Sequence, residues 1–339
     1  MDSSFDGVKC AVLGAGAWGT AMAIHLANIG HRVFLVSRDV DHAKRMVATG
    51  SNGEYISGIT FPENLTVSAE FAVARNCEII FLACPSAGIV EFCRRLQAVQ
   101  WNRSGPFPYV ISLCKGFIPS TSRLPLSAVN KMLPQFPNGV LSGPTHALTV
   151  AFSRLTAAVF ASQQPSNAVE GIRKALHSPN FHVYASEDVI GVELGGCLKN
   201  PYAIGMGMAV GSDCGDNGCA ALVTRMVAEM THIGVALGGK RDTFYGLSGL
   251  GDLLATVSGQ WSRNRNFGER IGRGESPEEI MQSQRGVVEG YHSTRGFYEI
   301  CRKSNLTTPI LNEIHSVLYE GRKCDKIAGS FMERCLLTS

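Results

Sequence analysis

Through the first half of the chain, short apolar runs alternate with stretches of helical spacing, and beyond Glu187 only the helical spacing continues. The run Lys9–Leu13 ends in a cluster of glycines, and residues 17–29 then carry the apolar positions Ala17, Ala21, Ile24 and Leu26 at helical spacing. A second β-rich run, 33–36, follows Gly30, so the first forty residues read as strand, helix, strand. Further runs suited to buried strands lie at 78–83, 109–113, 140–142, 157–161 and 181–184, most of them separated by helical segments. Strands alternating with helices predict an α/β domain with a parallel, doubly wound sheet over residues 1–188. Residues 189–339 carry long helical windows at 216–237, 288–303 and 309–319, which predict an all-helical second domain. The active site is expected in the cleft where the two domains meet. Proline-rich stretches at 105–108 and 134–139 read as surface loops, and neither resembles a linker.

Length changes this picture little: 339 residues exceed what one hydrophobic core comfortably organises, which again favours two domains. The 45% hydrophobic and 17% charged content exclude a disordered chain, and a net charge of +3 spread along the sequence argues against nucleic acid as partner. No apolar stretch approaches the roughly 20 residues of a membrane span. Eleven cysteines occur singly, without a CxxC pair, and no secretory leader or C-terminal address is recognisable, so reduced thiols and a cytoplasmic location are expected. None of the nine histidines falls in a ligand-like cluster, so no metal is expected.

The glycine cluster carries the first chemistry. In Gly14-Ala15-Gly16-Ala17-Trp18-Gly19 the first glycine permits a tight turn, the second lets backbone approach a pyrophosphate, and the third allows close packing of helix on strand. The helix that follows offers unpaired N–H groups to phosphate. Because the motif follows a strand, opens a helix and begins the first β-α-β unit, it predicts a Rossmann-type dinucleotide-binding domain. The second strand ends in Val36-Ser37-Arg38-Asp39, without the acidic residue that holds a ribose 2'-hydroxyl. Arg38 suits a 2'-phosphate, which favours NADP(H) while leaving NAD(H) open; on the other reading Arg38 is solvated, ahead of a helix capped by Asp39.

Four later clusters set polar residues among glycines and apolar neighbours: Leu113-Cys114-Lys115-Gly116, Ser142-Gly143-Pro144-Thr145, residues 194–200, and Leu250-Gly251-Asp252-Leu253. Reduction of a ketone by hydride needs a proton donor at the oxygen and cations beside the developing alkoxide. Lys199, in VELGGCLKN, and Lys115 answer both needs. In SRNR, Arg263 and Asn264 offer a planar fork and an amide to a phosphate dianion.

With GAGAWGTA, LCKGF, LSGPTHA, IGVELGGCLKN, GLSGLGDLLAT, SRNRNFG and VVEGY in this order over residues 14–291, the chain resembles the NAD(P)-dependent glycerol-3-phosphate dehydrogenases of bacterial type. The resemblance implies reversible reduction of dihydroxyacetone phosphate to sn-glycerol 3-phosphate, feeding glycerophospholipid synthesis, by a homodimer whose partners are small phosphorylated molecules. It implies that Lys199 is the general acid and base at the substrate's C2 oxygen and that Lys115 orients that oxygen. Asn200, Asp252 and Thr256 would hold the polyol hydroxyls and position Lys199, Arg263 and Asn264 would grip the phosphate, and Gly143 and Thr145 would line the substrate. On the cofactor side it implies Gly14, Gly16, Ala17, Trp18, Gly19, Arg38, Lys115, Ala147, Arg263 and Glu289.

The match has departures. His146, Leu148 and Thr149 replace an aromatic and more polar pattern, Cys197 stands for a smaller residue, Val210 for an acidic one, and Gly286 where glutamine is frequent. Pro201 follows Asn200, and a proline there predicts a kink or a helix start near Lys199. A related hydroxyacid or polyol-phosphate dehydrogenase and a non-catalytic NADPH-binding protein remain as other readings; retention of Lys115, Lys199, Asn200, Asp252, Thr256, Arg263 and Asn264 speaks for an active enzyme.

Overall fold

The computed structural model describes residues 7–101, 105–118, 121, 123–259, 261–283, 288–324 and 327–336, so Gly286 lies outside the described residues. The chain divides into two compact units, one of residues 1–114, 125–141 and 145–189, the other of residues 115–124, 142–144 and 190–339. Each has its own buried apolar core.

The first unit is built on eight strands: β1 (Lys9–Leu13), β2 (Arg32–Val36), β3 (Leu65–Ser68), β4 (Ile79–Leu82), β5 (Tyr109–Ser112), β6 (Asn138–Ser142), β7 (Thr156–Ala161) and β8 (Phe181–Ser186). Their order is β3-β2-β1-β4-β5-β6-β7-β8. The pairings of β1 with β2 and β4, β2 with β3, β4 with β5, β5 with β6 and β7 with β8 run parallel. Parallel strands covered by helices are buried on both faces, and β4 and β5 are buried at every residue, which is why β4 reads as an unbroken apolar run and β5 as one broken only by Ser112. The strand order reverses direction between β1 and β4, the place where an open α/β sheet leaves a crevice at its carboxyl ends.

Two features depart from expectation. Strand β3 is missed because it sits at the sheet edge with only Leu65 buried, so it carries almost no apolar signal. Strand β6 begins at Asn138, inside the stretch expected to be a loop, because the Pro137 carbonyl accepts from Val110 N (2.8 Å) and backbone pairing starts before the apolar residues do.

In the second unit the helix Val189–Gly211 is the axis. Every residue from Gly191 to Ala209 is buried, as an all-round apolar helix requires. It starts ten positions before Lys199 and runs through Pro201, so the expected helix start near Lys199 is corrected. Packing on all sides outweighs the one backbone hydrogen bond that proline cannot make. The expected helices follow at Gly215–Ala236, Glu289–Lys303 and Pro309–Tyr319, each within a residue of its window. The buried Glu229 carboxylate accepts from Tyr202 Oη (2.8 Å), Ile310 N (2.9 Å) and Leu311 N (2.8 Å), capping the last of these from another helix.

Glycines bring the axial helix against the helix Arg263–Gly272 at backbone contact. A Cβ on Gly207 would overlap the Arg265 carbonyl oxygen, one on Gly268 the Ile204 carbonyl oxygen, and one on Gly272 the Met208 carbonyl oxygen. Backbone cannot yield as a flexible side chain can, so Gly268→Ala is expected to lower stability by about 3 kcal/mol, read as a fall in the urea midpoint at unchanged slope. An unshifted midpoint would show that these helices part without cost.

Candidate active site

In the first unit, β1 delivers the chain to Gly14, whose amide donates to Val36 O (2.8 Å) and whose φ is +115°. The three loop glycines have three different surroundings. A Cβ on Gly14 would overlap the Ala83 carbonyl oxygen, one on Gly19 the Gly14 carbonyl oxygen, and Gly16 has nothing within 4 Å. The first and third are closed by packing, and the second leaves backbone open to a ligand. The helix Ala17–Asn28 begins here without a side-chain cap, so its first N–H groups remain available. Asn52, which the sequence reading passes over, braces the loop: its amide donates to Ala15 O (2.9 Å) and Thr20 Oγ1 (2.7 Å). The Trp18 indole N–H is buried with no partner among the described residues, and a buried donor of that kind calls for an acceptor. Open backbone, uncapped helix and orphaned donor together fit a dinucleotide.

At the end of β2, Asp39 caps the helix Val40–Thr49 by accepting from Asp41 N (2.9 Å) and His42 N (3.0 Å), as the solvated reading of this segment also expects. The bond from His42 N leads the causes that hold the Asp39 carboxyl below the usual carboxylate range. Arg38 is exposed and has no hydrogen-bond partner among the described residues. Thr145 is buried, and Ala147 opens the short helix Ala147–Ala151 half-buried.

The second unit gathers the polar residues of three clusters around one carboxylate. Asp252 is 2% exposed and accepts from Lys115 Nζ at Oδ2 (2.7 Å) and from Lys199 Nζ at Oδ1 (2.5 Å). It stands at the start of the helix Asp252–Ser258, directly after a π-helical turn, Leu247–Gly251, of the kind that re-aims side chains at functional sites. Lys199 Nζ also donates to Thr256 Oγ1 (2.8 Å), and the Thr256 hydroxyl donates to Asp252 O (2.6 Å), one helical turn back. Lys115 Nζ donates to the buried Gly143 carbonyl (2.8 Å). Two ammonium groups against one carboxylate leave the cluster with an excess positive charge. Burial is the main cause that pushes the Lys115 ammonium down to about 8, opposed by attraction to Asp252 and aided by repulsion from Lys199.

A chain of amides runs behind the lysines. Gly290 N donates to Asn264 Oδ1 (3.0 Å), Asn264 Nδ2 to Asn200 Oδ1 (2.8 Å), and Asn200 Nδ2 to Lys115 O (2.7 Å). The Asn200 amide is thus engaged by the protein itself. Arg263 is exposed at the first position of the helix Arg263–Gly272, which Ser262 caps by accepting from Arg265 N (3.2 Å). Glu289 opens the helix Glu289–Lys303 half-buried. Neither Ser262 nor Gly290 was assigned a role from sequence, although a serine just before a helix is a readable cap signal. Ser142, singled out in its cluster but given no role from sequence, has its hydroxyl buried without a partner among the described residues, against the face of Gly196, where a Cβ would lie 2.5 Å away. Among the described residues, no group of three or more His, Cys, Asp or Glu side chains could hold a metal, and no helix is long and apolar enough to cross a membrane.

Two family models match the chain, the NAD-dependent glycerol-3-phosphate dehydrogenase N-terminus over residues 9–168 and the corresponding C-terminus over residues 188–329. A glycerol-3-phosphate dehydrogenase [NAD(P)+] of Thermoanaerobacter sp. is 39% identical over 331 residues, covering 96% of this chain and 97% of the relative. One from Thiobacillus denitrificans is 39% identical over 329 residues, covering 96% and 98%. The crystal structure of glycerol-3-phosphate dehydrogenase from Coxiella burnetii superposes with a TM-score of 0.90 at 34% identity, covering 96% of this chain and 99% of that one. D-mandelate dehydrogenase, at 12% identity and a TM-score of 0.61, shares the fold alone.

The Lys115 shift has a direction in pH. Its folded value lies below its unfolded one, so the folded protein loses this proton first, and the cost of burying the ammonium is full below about 8 and relieved as pH rises toward about 10.4. Stability should therefore gain up to about 3 kcal/mol over that window, and Lys115→Met should lack the gain. Urea midpoints at pH 7, 9 and 10 measure it; the same pH course in both proteins would refute the shift.

Proposed function

The chain belongs to the NAD-dependent glycerol-3-phosphate dehydrogenase family and is an NAD(P)-dependent oxidoreductase, and from that premise we propose how its residues divide the reduction of dihydroxyacetone phosphate to sn-glycerol 3-phosphate. The observation that carries the reading is the pair of lysines on the buried Asp252 carboxylate. When bound, the reduced nicotinamide supplies a hydride. Lys199 has three N–H groups, of which Asp252 and Thr256 take two, and the third serves the C2 oxygen of the substrate. As that oxygen gains negative charge, the excess positive charge of the cluster stabilises it in a site that needs no reorganisation. Lys199 passes its proton to the oxygen, and in the oxidation direction takes it back. Lys115 polarises the same oxygen, while Asp252 and Thr256 hold Lys199 in direction. Asn200 acts through the Lys115 backbone and through Asn264.

Arg263, at a helix N-terminus, suits the substrate phosphate, with Asn264 beside it and Gly143 and Thr145 along the substrate. Residues 1–188 are the dinucleotide-binding domain, with Gly14, Gly16, Ala17, Trp18, Gly19, Arg38 and Ala147 on the cofactor, and residues 189–339 are the substrate-binding and catalytic domain, adding Arg263 and Glu289 to that contact. Lys115, though in the first stretch of sequence, serves the substrate. Arg38, exposed and without a hydrogen-bond partner among the described residues, favours NADPH over NADH. On the family resemblance we also propose a cytoplasmic homodimer that feeds glycerophospholipid synthesis.

The loss of absorbance of each reduced cofactor with dihydroxyacetone phosphate tests the reading. Lys199→Ala should lower kcat by roughly 10²–10⁴-fold with the cofactor Kd unchanged, and equal turnover would reject the role of Lys199. Arg38→Ala should lower the ratio of NADPH to NADH kcat/KM by about tenfold; a constant ratio would remove Arg38 from cofactor choice.

A further inference from the structure

Among the described residues, two pairs of cysteine sulfurs lie within 4 Å of each other. Cys84 and Cys114 lie 3.8 Å apart at Sγ, but both are buried, and Cys114 Sγ is directed to Cys84 O (3.1 Å). Cys214 and Cys219 lie 3.9 Å apart and are partly exposed. Cys214 is the residue before the helix Gly215–Ala236, and Cys219 is in its second turn. Between them, Gly218 leaves the room that the Cys214 sulfur occupies: a Cβ on Gly218 would lie 2.5 Å from that sulfur. The sulfur therefore rests over the first turn of the helix, aimed along it toward Cys219. Cys219 also lines a cavity of about 610 Å³, with Asp216, Val223 and Leu254, large enough to admit a small oxidant.

We propose that Cys214 and Cys219 are an oxidisable dithiol, closed to an intrachain disulfide by a peroxide and reopened by a thiol reductant. The Cys219 thiolate attacks one peroxide oxygen, the O–O bond breaks, and hydroxide leaves to take up a proton as water. The Cys214 thiolate then attacks the Cys219 sulfur, an S–S bond replaces the S–O bond, and a second water leaves. Two thiols are oxidised and one peroxide is reduced. The sulfurs must close from 3.9 Å to about 2.05 Å. Cys219 lines the cavity and so meets the oxidant first, and Cys214, whose thiol burial pushes up, resolves.

Hydrogen peroxide acting on the intact reduced protein, followed by iodoacetamide and non-reducing digestion, tests this, because tryptic peptide 200–225 contains both cysteines and no other. The expected result is a peptide lighter by two hydrogens, alkylation of both thiols reduced about tenfold while Cys84 and Cys114 keep theirs, and recovery with dithiothreitol. In Cys214→Ser the reaction should stop at a Cys219 sulfenic acid that dimedone traps. Unchanged alkylation of both thiols, or a disulfide that joins Cys84 to Cys114 or two chains instead, overturns the proposal.

Discussion

Asp252 is the constraint around which the helical unit is arranged. A carboxylate 2% exposed is costly to bury unless charge and hydrogen bonds answer it, and here both oxygens are taken by lysines from distant parts of the sequence. Holding the carboxylate at the start of its helix requires the π-helical turn Leu247–Gly251 behind it, and that turn in turn needs the axial helix to come close. A Cβ on Gly195 would lie 2.6 Å from Ser248 O, and one on Gly249 would overlap the Phe244 carbonyl oxygen. The glycine-rich sequence on both sides of the two ammonium groups is thus a packing requirement of the carboxylate.

The same logic extends from the lysines to the start of the helix Arg263–Gly272. Gly207, Gly268 and Gly272 let the axial helix and the helix Arg263–Gly272 touch backbone to backbone, which carries Asn264 to Asn200 and leaves Arg263 exposed at the helix start. Three amide hydrogen bonds, from Gly290 through Asn264 and Asn200 to the Lys115 carbonyl, then tie that end to the backbone of the second lysine. Charge placement and backbone contact are therefore coupled: loosening the helix pair would move the amides and, through them, Lys115.

Much of this was legible because it rests on local chemistry. The loop Gly14 to Gly19 needs three glycines for three separate reasons, and polar residues among glycines marked Lys115, Lys199 and Asp252. What escaped the sequence depends on distant partners. β3 is recognisable only by its pairing with β2, since just Leu65 is buried. Asn52 and Glu229 look like surface residues until the loop and the helix end that they satisfy are seen. Pro201 signals a break that surrounding packing overrides, and Cys214 and Cys219 read as single cysteines because four intervening residues hide a contact made over Gly218.

Why the cluster has two cations for one anion is an energetic question. A single lysine on Asp252 would satisfy Coulomb's law and avoid repulsion that, for unit charges about 4 Å apart at an effective dielectric near 20, amounts to about 4 kcal/mol. The second ammonium brings its own desolvation as well, and the lowered Lys115 value is the trace of that tension. Stability alone would favour an apolar residue at 115. On the proposed reaction, the alkoxide of a reduced ketone is a negative charge that an excess positive charge held on a fixed carboxylate would stabilise. On that proposal the strain carried by the protein without substrate is the counterpart of stabilisation in the transition state, and the glycine-packed helices keep that strain from relaxing beforehand.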